Sequence, residues 1–491
     1  MWPELFRLSA ATGYNLQQRI RETLVAAILN GRLPPDTPVP SSRELARQLG
    51  VARNTVMFAY QHLVEEGFLI ARERSGYFIN PDIQPRVAEA ERHPTISGEN
   101  GSEVDWSSRL RVRPSEQRNI VKRSNWREFE YPFIYGQVDP EHFPLNAWRE
   151  CYRQALSVQA VSSLVRDQMD ADDQLLVEQI QTRVLPRRGI WVNRDEILVT
   201  LGTQNALYLL AELLIGREDK VGIENPGYPD ARNIFSLKTC SLLPLPVDEQ
   251  GMVVDERVGA CDYVFVTPSH QSPTTVTLPL ERREALLRKA SESDCLIIED
   301  DYESEVTFDC APTPALKSLD HDGRVLYIGS LSKTLDPGLR MGFLVGPPGL
   351  IREARALRRL MLRHPPANNQ HAVALFLSLG HHDSLIQRMI HEYRDRWEAM
   401  GAALERHLPA ATHSPCCGGS SYWVKGPPGL DARELAQEAA TEGIFIEPGN
   451  VNFAGPKPPL EYFRLGFSAI PVERIEPGIE KLSRIAHRLL D

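Results

Sequence analysis

From about residue 130 onward, strand-like apolar runs alternate with helical patterns, and this limits the possible folds more than any other feature. The runs are Glu196–Leu201, Lys220–Ile223, Tyr263–Thr267, Cys295–Ile298, Arg324–Ile328 and Gly342–Gly346. Strand and helix in turn predict an α/β domain with a mainly parallel sheet wrapped by helices. After about residue 380, long helical patterns give way to short strands, which predicts a smaller α+β subdomain. At 491 residues the chain is too long for one domain.

The N-terminal part has a different rhythm. Residues 14–31 show helical spacing, with Leu16, Ile20, Leu24, Ile28 and Leu29 on one face and Gly31 at the end. A proline-rich loop leads to Ser41-Ser42-Arg43-Glu44, a capping box that opens a short helix ending at Gly50. A second helix is expected over about 53–66, with Val56, Tyr60, Leu63 and Val64 facing inward. Phe68–Arg72 and Tyr77–Ile79 read as two strands of a hairpin around Arg74-Ser75-Gly76, with the glycine at its tip. From about 81 to 120 the apolar periodicity vanishes, as in a linker. The expected organisation is a small domain over 12–80, a linker over 81–120 and a large domain over 121–491.

Charge supports this division. The formal net charge is −10, yet residues 1–80 carry nine arginines, no lysine and seven acidic residues, leaving about −12 on the remainder. A small arginine-only basic part on an acidic body suits a DNA-reading module on a regulatory domain. Hydrophobic content of 42% with 24% charged residues is that of a soluble globular protein. No apolar run approaches the roughly 18 residues of a membrane span, and the first residues lack a signal-peptide pattern. The seven cysteines have no zinc spacing, so no metal is expected and a cytoplasmic location is.

Several segments carry chemistry. In Gly329-Ser330-Leu331-Ser332-Lys333-Thr334-Leu335, followed by Arg340, a lysine stands among hydroxyls with a guanidinium seven residues on. Its ε-amine suits a Schiff base with the aldehyde of pyridoxal 5'-phosphate, and the hydroxyls and guanidinium suit the phosphate. Thr200-Leu201-Gly202-Thr203-Gln204 follows a strand and opens a helix whose N–H groups could cup a phosphate. Tyr228, in Glu224-Asn225-Pro226-Gly227-Tyr228-Pro229, is placed to stack on a pyridine ring. Asp300, at the end of Ile297-Ile298-Glu299-Asp300-Asp301-Tyr302, could pair with the ring nitrogen, and Tyr302 with the phenolic oxygen.

Two resemblances follow. The run Pro40-Ser41-Ser42-Arg43-Glu44-Leu45-Ala46, then Gly50-Val51-Ala52-Arg53-Asn54-Thr55-Val56, with the wing after it, resembles the winged helix-turn-helix of the GntR family of bacterial regulators. The likeness covers about residues 12–80 and implies double-stranded DNA as partner, touched by Arg43, Arg53, Asn54, Thr55 and Gly76. Ala52 departs from the usual Ser or Thr N-cap, and Met57 stands where some members have a DNA-contacting arginine. The order of Pro268-Ser269-His270-Gln271, Glu299-Asp300-Asp301-Tyr302 and Leu331-Ser332-Lys333-Thr334-Leu335 resembles class I aminotransferases of fold type I. More specifically, it resembles the MocR subfamily, in which such a domain is fused to a GntR reader.

That likeness implies Lys333 as the Schiff-base lysine, Asp300 as pyridinium partner, Tyr302 on the ring oxygen and Tyr228 stacked. It implies Ser330, Arg340 and the Gly202-Thr203-Gln204 turn on the phosphate, with Arg464 gripping an effector's carboxylate. Arg232 is a weaker second candidate that reads as a surface residue. Three departures stand out: Ser272-Pro273-Thr274-Thr275 replaces Asn-Pro-Thr-Gly, Thr275 replaces its glycine, and the Tyr-x-x-Pro-x-Gly segment is replaced near 167–172. The resemblance implies a ligand-responsive transcription regulator: a head-to-tail homodimer on paired half-sites that senses a small amino compound through an external aldimine at Lys333. A working aminotransferase with a DNA-binding appendage is the alternative, and a cofactor-free dimerisation module is a third. Members of the subfamily respond to GABA, taurine, ectoine derivatives, D-alanyl-D-alanine or pyridoxal phosphate itself, and one arginine does not choose among them.

Overall fold

The computed structural model describes Trp2, Leu5 and residues 15–83, 104–139, 143–157, 169–308, 313–333, 335, 337–414 and 418–491. The chain forms two compact units, Met1–Trp106 and Ser107–Asp491.

In the first unit, helix Leu16–Leu29 starts at Asn15, whose side chain accepts from the Gln18 N–H at 2.8 Å, and it buries Ile20, Leu24, Ala27 and Ile28. Leu16 and Leu29, expected on the buried face, are half exposed. They lie at the helix ends, and Ala27 takes the inner position. Helix Ser42–Leu49 is capped by Ser41, whose Oγ accepts from the Glu44 N–H at 3.2 Å, and it ends at Gly50 in the left-handed region. Of the expected capping box, that half is formed, while the Glu44 carboxylate accepts from Gln48 instead. Helix Arg53–Glu65 buries Val56, Ala59, Tyr60 and Leu63 against Leu24, Leu45, Leu69 and Ile79. Ala52 at its N-cap makes no side-chain hydrogen bond. β1 (Leu69–Arg72) and β2 (Gly76–Ile79) form the antiparallel wing. Gly76 opens β2 at φ +101° rather than occupying the tip, and Arg74 within the turn is also at positive φ, 60°.

The second unit holds the sheet. β3 (Tyr131–Pro132) pairs with β14 (Ile444–Phe445) and ties the start of the unit to its C-terminal part. The main sheet is built from β4 (Ile197–Thr200), β5 (Lys220–Asn225), β6 (Ser241–Asp248), β7 (Gly251–Met252), β8 (Tyr263–Val266), β9 (Leu296–Asp301), β10 (Val325–Ser330) and β11 (Gly342–Val345). Their order across the sheet is β4-β11-β10-β9-β8-β5-β6-β7, and only the pairings of β11 and β7 are antiparallel. β6 and β7 have no counterpart among the expected runs. Pro244 and Pro246 interrupt β6, which tolerates them because it lies towards the sheet margin, where a missing N–H is least costly.

Both sheet faces are covered. Leu198 of β4 packs with Ala206, Leu207 and Leu210 of helix Gly202–Leu214, while Ile197 and Val199 enter the core on the other face. A smaller sheet, β12 (Thr412–His413), β13 (Ser421–Lys425), β16 (Tyr462–Gly466) and β15 (Glu447–Pro448) in that order, packs with helices His381–His407 and Val472–Leu490. Because β4, β5, β8, β9 and β10 are mutually parallel, their C-terminal ends open on one side of the sheet. Ligands of open α/β sheets bind at such an edge.

Candidate cofactor and effector site

That edge carries the predicted residues. A pocket is lined by Thr203 after β4, Tyr228 after β5, Ser272 after β8, Asp300 and Tyr302 at the end of β9 and Lys333 after β10. Arg464 of β16 closes it, with Ile120 and Tyr135 from the chain on either side of β3.

The strand pleat separates two adjacent carboxylates. Asp301 accepts from Arg188 Nε at 2.7 Å and from the Tyr327 hydroxyl at 2.8 Å. Burial opposes ionisation of Asp301, but these partners, Arg188 foremost, outweigh it and hold the carboxyl below its usual range. Asp300 points the other way, into the pocket, and its buried Oδ1 has no hydrogen-bond partner. Burial, reinforced by the charge of Asp301, pushes Asp300 up to about 8. A buried carboxylate left in that state is costly unless a cation meets it, and a protonated pyridine nitrogen is such a cation.

Lys333 is the second centre. Its Nζ donates to the Tyr135 hydroxyl at 3.2 Å and stands 4.2 Å from that ring's centroid and 5.7 Å from the Tyr302 ring. Burial pushes its amine down to about 8; Glu303 opposes this, and Lys122 and Arg464 add to it. Gly136 makes room here: a Cβ on it would lie 2.8 Å from the Lys333 Nζ. The Arg464 guanidinium lies 4.3 Å over the Tyr135 ring.

A polar corner flanks the lysine. Gly202 opens its helix at φ +73°, and a Cβ there would lie 3.3 Å from the Arg340 guanidinium. Arg340 donates to Gln204 Oε1 at 3.1 Å. The Gln204 amide in turn reaches the Tyr228 hydroxyl at 3.4 Å and the carboxylate of Asp230, to which Tyr228 donates at 3.1 Å. Ser330 pairs in register with Gly342, which abuts the Gly202 backbone, so it belongs to the same corner. Ser332, whose hydroxyl was expected to face a phosphate, accepts from the Met341 N–H at 2.7 Å and donates to its carbonyl at 3.0 Å. Its hydroxyl is therefore committed to the loop.

Several residues escaped sequence reasoning. Tyr135, Glu303, Asp230 and Lys122 belong to no strand-helix motif; the one available signal for Tyr135 was the Tyr-Gly ending of an apolar run. Arg232 is not a free surface residue: it donates to the carbonyls of Val451, Phe453 and Arg118 at 2.8–3.1 Å. Of the replaced segment near 167–172, residues 167 and 168 lie outside the described residues. Asp172 is buried between Arg355 and Arg358 at 2.7 and 2.6 Å, a structural ion-pair cluster. Thr275 takes the positive φ, 63°, that a glycine would take without strain.

In the first unit Arg43, Arg53, Asn54 and Gly76 are exposed and Thr55 is half-buried. Arg53, Asn54 and Thr55 form the first turn of the second helix, where helix N–H groups and arginine charge suit a DNA backbone or base edge. Arg53 reaches back to Ser42 Oγ at 3.5 Å.

Fold and site together define a fold-type I, aminotransferase-like domain that uses pyridoxal 5'-phosphate, joined to a winged-helix DNA-binding domain. Residues 142–482 match the aminotransferase class I and II family model, and residues 16–79 match that of the gntR family of bacterial regulatory proteins. The chain belongs to the MocR subfamily of GntR-type transcription regulators. It is 42% identical over 481 residues, 98% of each chain, to the HTH-type transcriptional regulator TauR of Rhodobacter capsulatus. It is 30% identical to the probable rhizopine catabolism regulatory protein MocR of Rhizobium meliloti, covering 95% of this chain and 93% of that one. Among solved structures, the α-aminoadipate aminotransferase LysN of Thermus thermophilus, complexed with N-(5'-phosphopyridoxyl)-L-leucine, is similar with TM-score 0.70 and 27% identity. That match covers 79% of this chain and 99% of the enzyme. No helix among the described residues is long and apolar enough to cross a membrane.

Proposed function

We propose that this transcription regulator senses a small amino compound bearing an acidic group, and that Lys333 is the residue the compound displaces. Pyridoxal phosphate, when bound, supplies an aldehyde that condenses reversibly with primary amines. The observation that carries the reading is the juxtaposition, in one pocket, of Lys333, the unpartnered Asp300 carboxylate and the Arg464 guanidinium. Asp300 meets the ring nitrogen, Tyr302 the ring oxygen and Tyr228 the ring face. Gly202, Thr203, Gln204, Ser330 and Arg340 hold the phosphate. Arg464, with its planar fork, takes the effector's acidic group. Lys333, whose amine loses its proton as pH rises through about 8, is able to exchange with an incoming amine and to return when it leaves.

The reader contacts DNA through Arg43, Arg53, Asn54, Thr55 and the wing at Gly76. A single small domain of this kind offers limited affinity, so a homodimer, head-to-tail, on paired half-sites is expected. An effector alters promoter binding only by the difference in its affinity for two states of the protein.

Retention of Lys333 and Asp300 also suits an aminotransferase, with the freed lysine moving a proton. Titration of the purified, cofactor-loaded protein with amino compounds, read by visible absorbance, separates the two. A lysine-dependent band, absent in Lys333→Ala, that shifts to a stable new position and alters operator binding supports sensing. Continuous loss of the band with release of a keto acid means turnover. A wild-type protein with no band in excess pyridoxal phosphate overturns both.

A further inference from the structure

The segment Gln117–Lys122, near the start of the second unit, is tied down on the body and contributes Ile120 to the lining of the pocket. Gln117 donates to the Asn233 carbonyl at 3.0 Å and to Ser236 Oγ at 2.9 Å. Arg118 donates to the carbonyls of Phe453 and Gly455 at 3.0 and 2.8 Å, and its own carbonyl receives Arg232 and Asn233 at 3.1 and 3.0 Å. Two residues on, Ile120 lines the pocket beside Lys333 and Arg464.

Lys122 then turns its ammonium inward. The residue as a whole is exposed, yet its Nζ donates to the Tyr135 carbonyl and lies 5.3 Å from the Tyr135 ring centroid. The Nζ atoms of Lys122 and Lys333 stand 3.5 and 2.8 Å from the same point, the place a Cβ on Gly136 would occupy. Three basic side chains, Lys122, Lys333 and Arg464, therefore stand around one tyrosine ring. Among the described residues, none of the three makes an ion pair with a carboxylate. Glu303 gives one oxygen to the Ser420 hydroxyl, and its other is unpartnered, as is Oε1 of Glu447. Burial pushes Lys122 down, with Glu447 opposing, and an arriving anion would act with Glu447 to restore its charge.

We infer that Lys122 is a second cationic contact for the effector's acidic group, bridging it with Arg464 and linking pocket occupancy to the Gln117–Lys122 segment. This rests on the sensing reading above. The geometry favours a compound whose acidic group offers oxygens to two cations at once, one from β16 and one from the segment before β3. Its amine would occupy the end at Lys333.

The test compares wild-type, Lys122→Met and Lys122→Arg full-length proteins, each loaded with cofactor. Each is titrated with two matched pairs: 4-aminobutanoate against 4-aminobutan-1-ol, and 2-aminoethanesulfonate against 2-aminoethanol. The readouts are the half-saturating concentration for the absorbance shift and the amide hydrogen exchange of residues 117–123. In Lys122→Met, the acid that binds wild type should need about tenfold more ligand, as expected for losing a hydrogen bond between charged groups, while its neutral partner changes less than about twofold. Lys122→Arg should recover most of the loss. Exchange at 117–123 should slow with the acid in wild type and not in Lys122→Met. Equal weakening for acid and alcohol would reduce Lys122 to a structural anchor and overturn the inference, as would unchanged acid binding. A wild-type protein that binds both alcohols as tightly as both acids, or binds none of the four while retaining its band, would refute the acidic-group reading itself, and this proposal with it.

Discussion

Lys333 is governed by its neighbours more than by its own chemistry. Glu303 and Glu447 favour its protonated form, while burial, Lys122 and Arg464 disfavour it, and the balance places its amine at about 8. Below that pH the amine is protonated and cannot attack an aldehyde, and Asp300, also pushed up to about 8, is neutral and cannot meet a ring cation. Both effects have the same sign. Cofactor loading into the apo-protein should therefore speed up about tenfold between pH 7 and pH 9, from the neutral fraction of Lys333 alone. Removing the like charge in Lys122→Met should move the midpoint of that profile to higher pH, and stopped-flow absorbance would report it. A flat profile would mean that Lys333 is not the titrating amine. At this scale the motif residues were legible because each ends a strand or opens a helix. The Asp300–Asp301 pair shows the boundary: their order was readable, but only the packing of Arg188 and Tyr327 on one face shows what Asp301 binds.

The elements of the reader were legible from caps and periodicity, since Ser41, Gly31 and Gly50 act on backbone a few residues away. Helix Arg53–Glu65 lacks a side-chain cap at Ala52, which leaves its first N–H groups for solvent or a phosphate. Ala52→Ser should stabilise the reader by about 1 kcal/mol, raising the midpoint of its thermal unfolding by several degrees. An unchanged midpoint would indicate that the first turn is already satisfied. In the body the six apolar runs were readable because strands covered on both faces need continuous apolar sequence. β6 was not, because its prolines argue against a strand and only its position towards the sheet margin admits them.

For the molecule as a whole, charge asymmetry carries the DNA prediction. Phosphate contacts release counterions, so replacing Arg43 or Arg53 by Ala should weaken operator binding and reduce the slope of log affinity against log salt by about 1 for each lost contact. Fluorescence anisotropy at several salt concentrations would measure it. An unchanged slope would place that arginine away from the backbone, and a loss confined to one operator sequence would assign it to base reading. An effector able to move promoter occupancy from nearly full to nearly empty needs a large difference in affinity between two states, on the order of 5.5 kcal/mol. On the proposed reading, Arg464 and Lys122 supply that difference for a charged effector.

The sequence by itself determined the two-part organisation, the parallel sheet, the reader's helices and the placing of the candidate site residues at strand ends. These depend on local periodicity, caps and motifs, which are written over a few consecutive residues. Tertiary structure alone decided the other surroundings of Lys333. Ile120 comes from the end of a segment that reads as linker, Lys122 from just beyond it, Tyr135 from just after β3 and Glu303 from just after β9. The segment that carries Ile120 and Lys122 is held down at Gln117 and Arg118 by the carbonyls of Phe453 and Gly455 and by Arg232, Asn233 and Ser236, all distant in sequence. No local pattern encodes such an approach, because it depends on where two distant stretches of backbone pack, not on what either prefers alone.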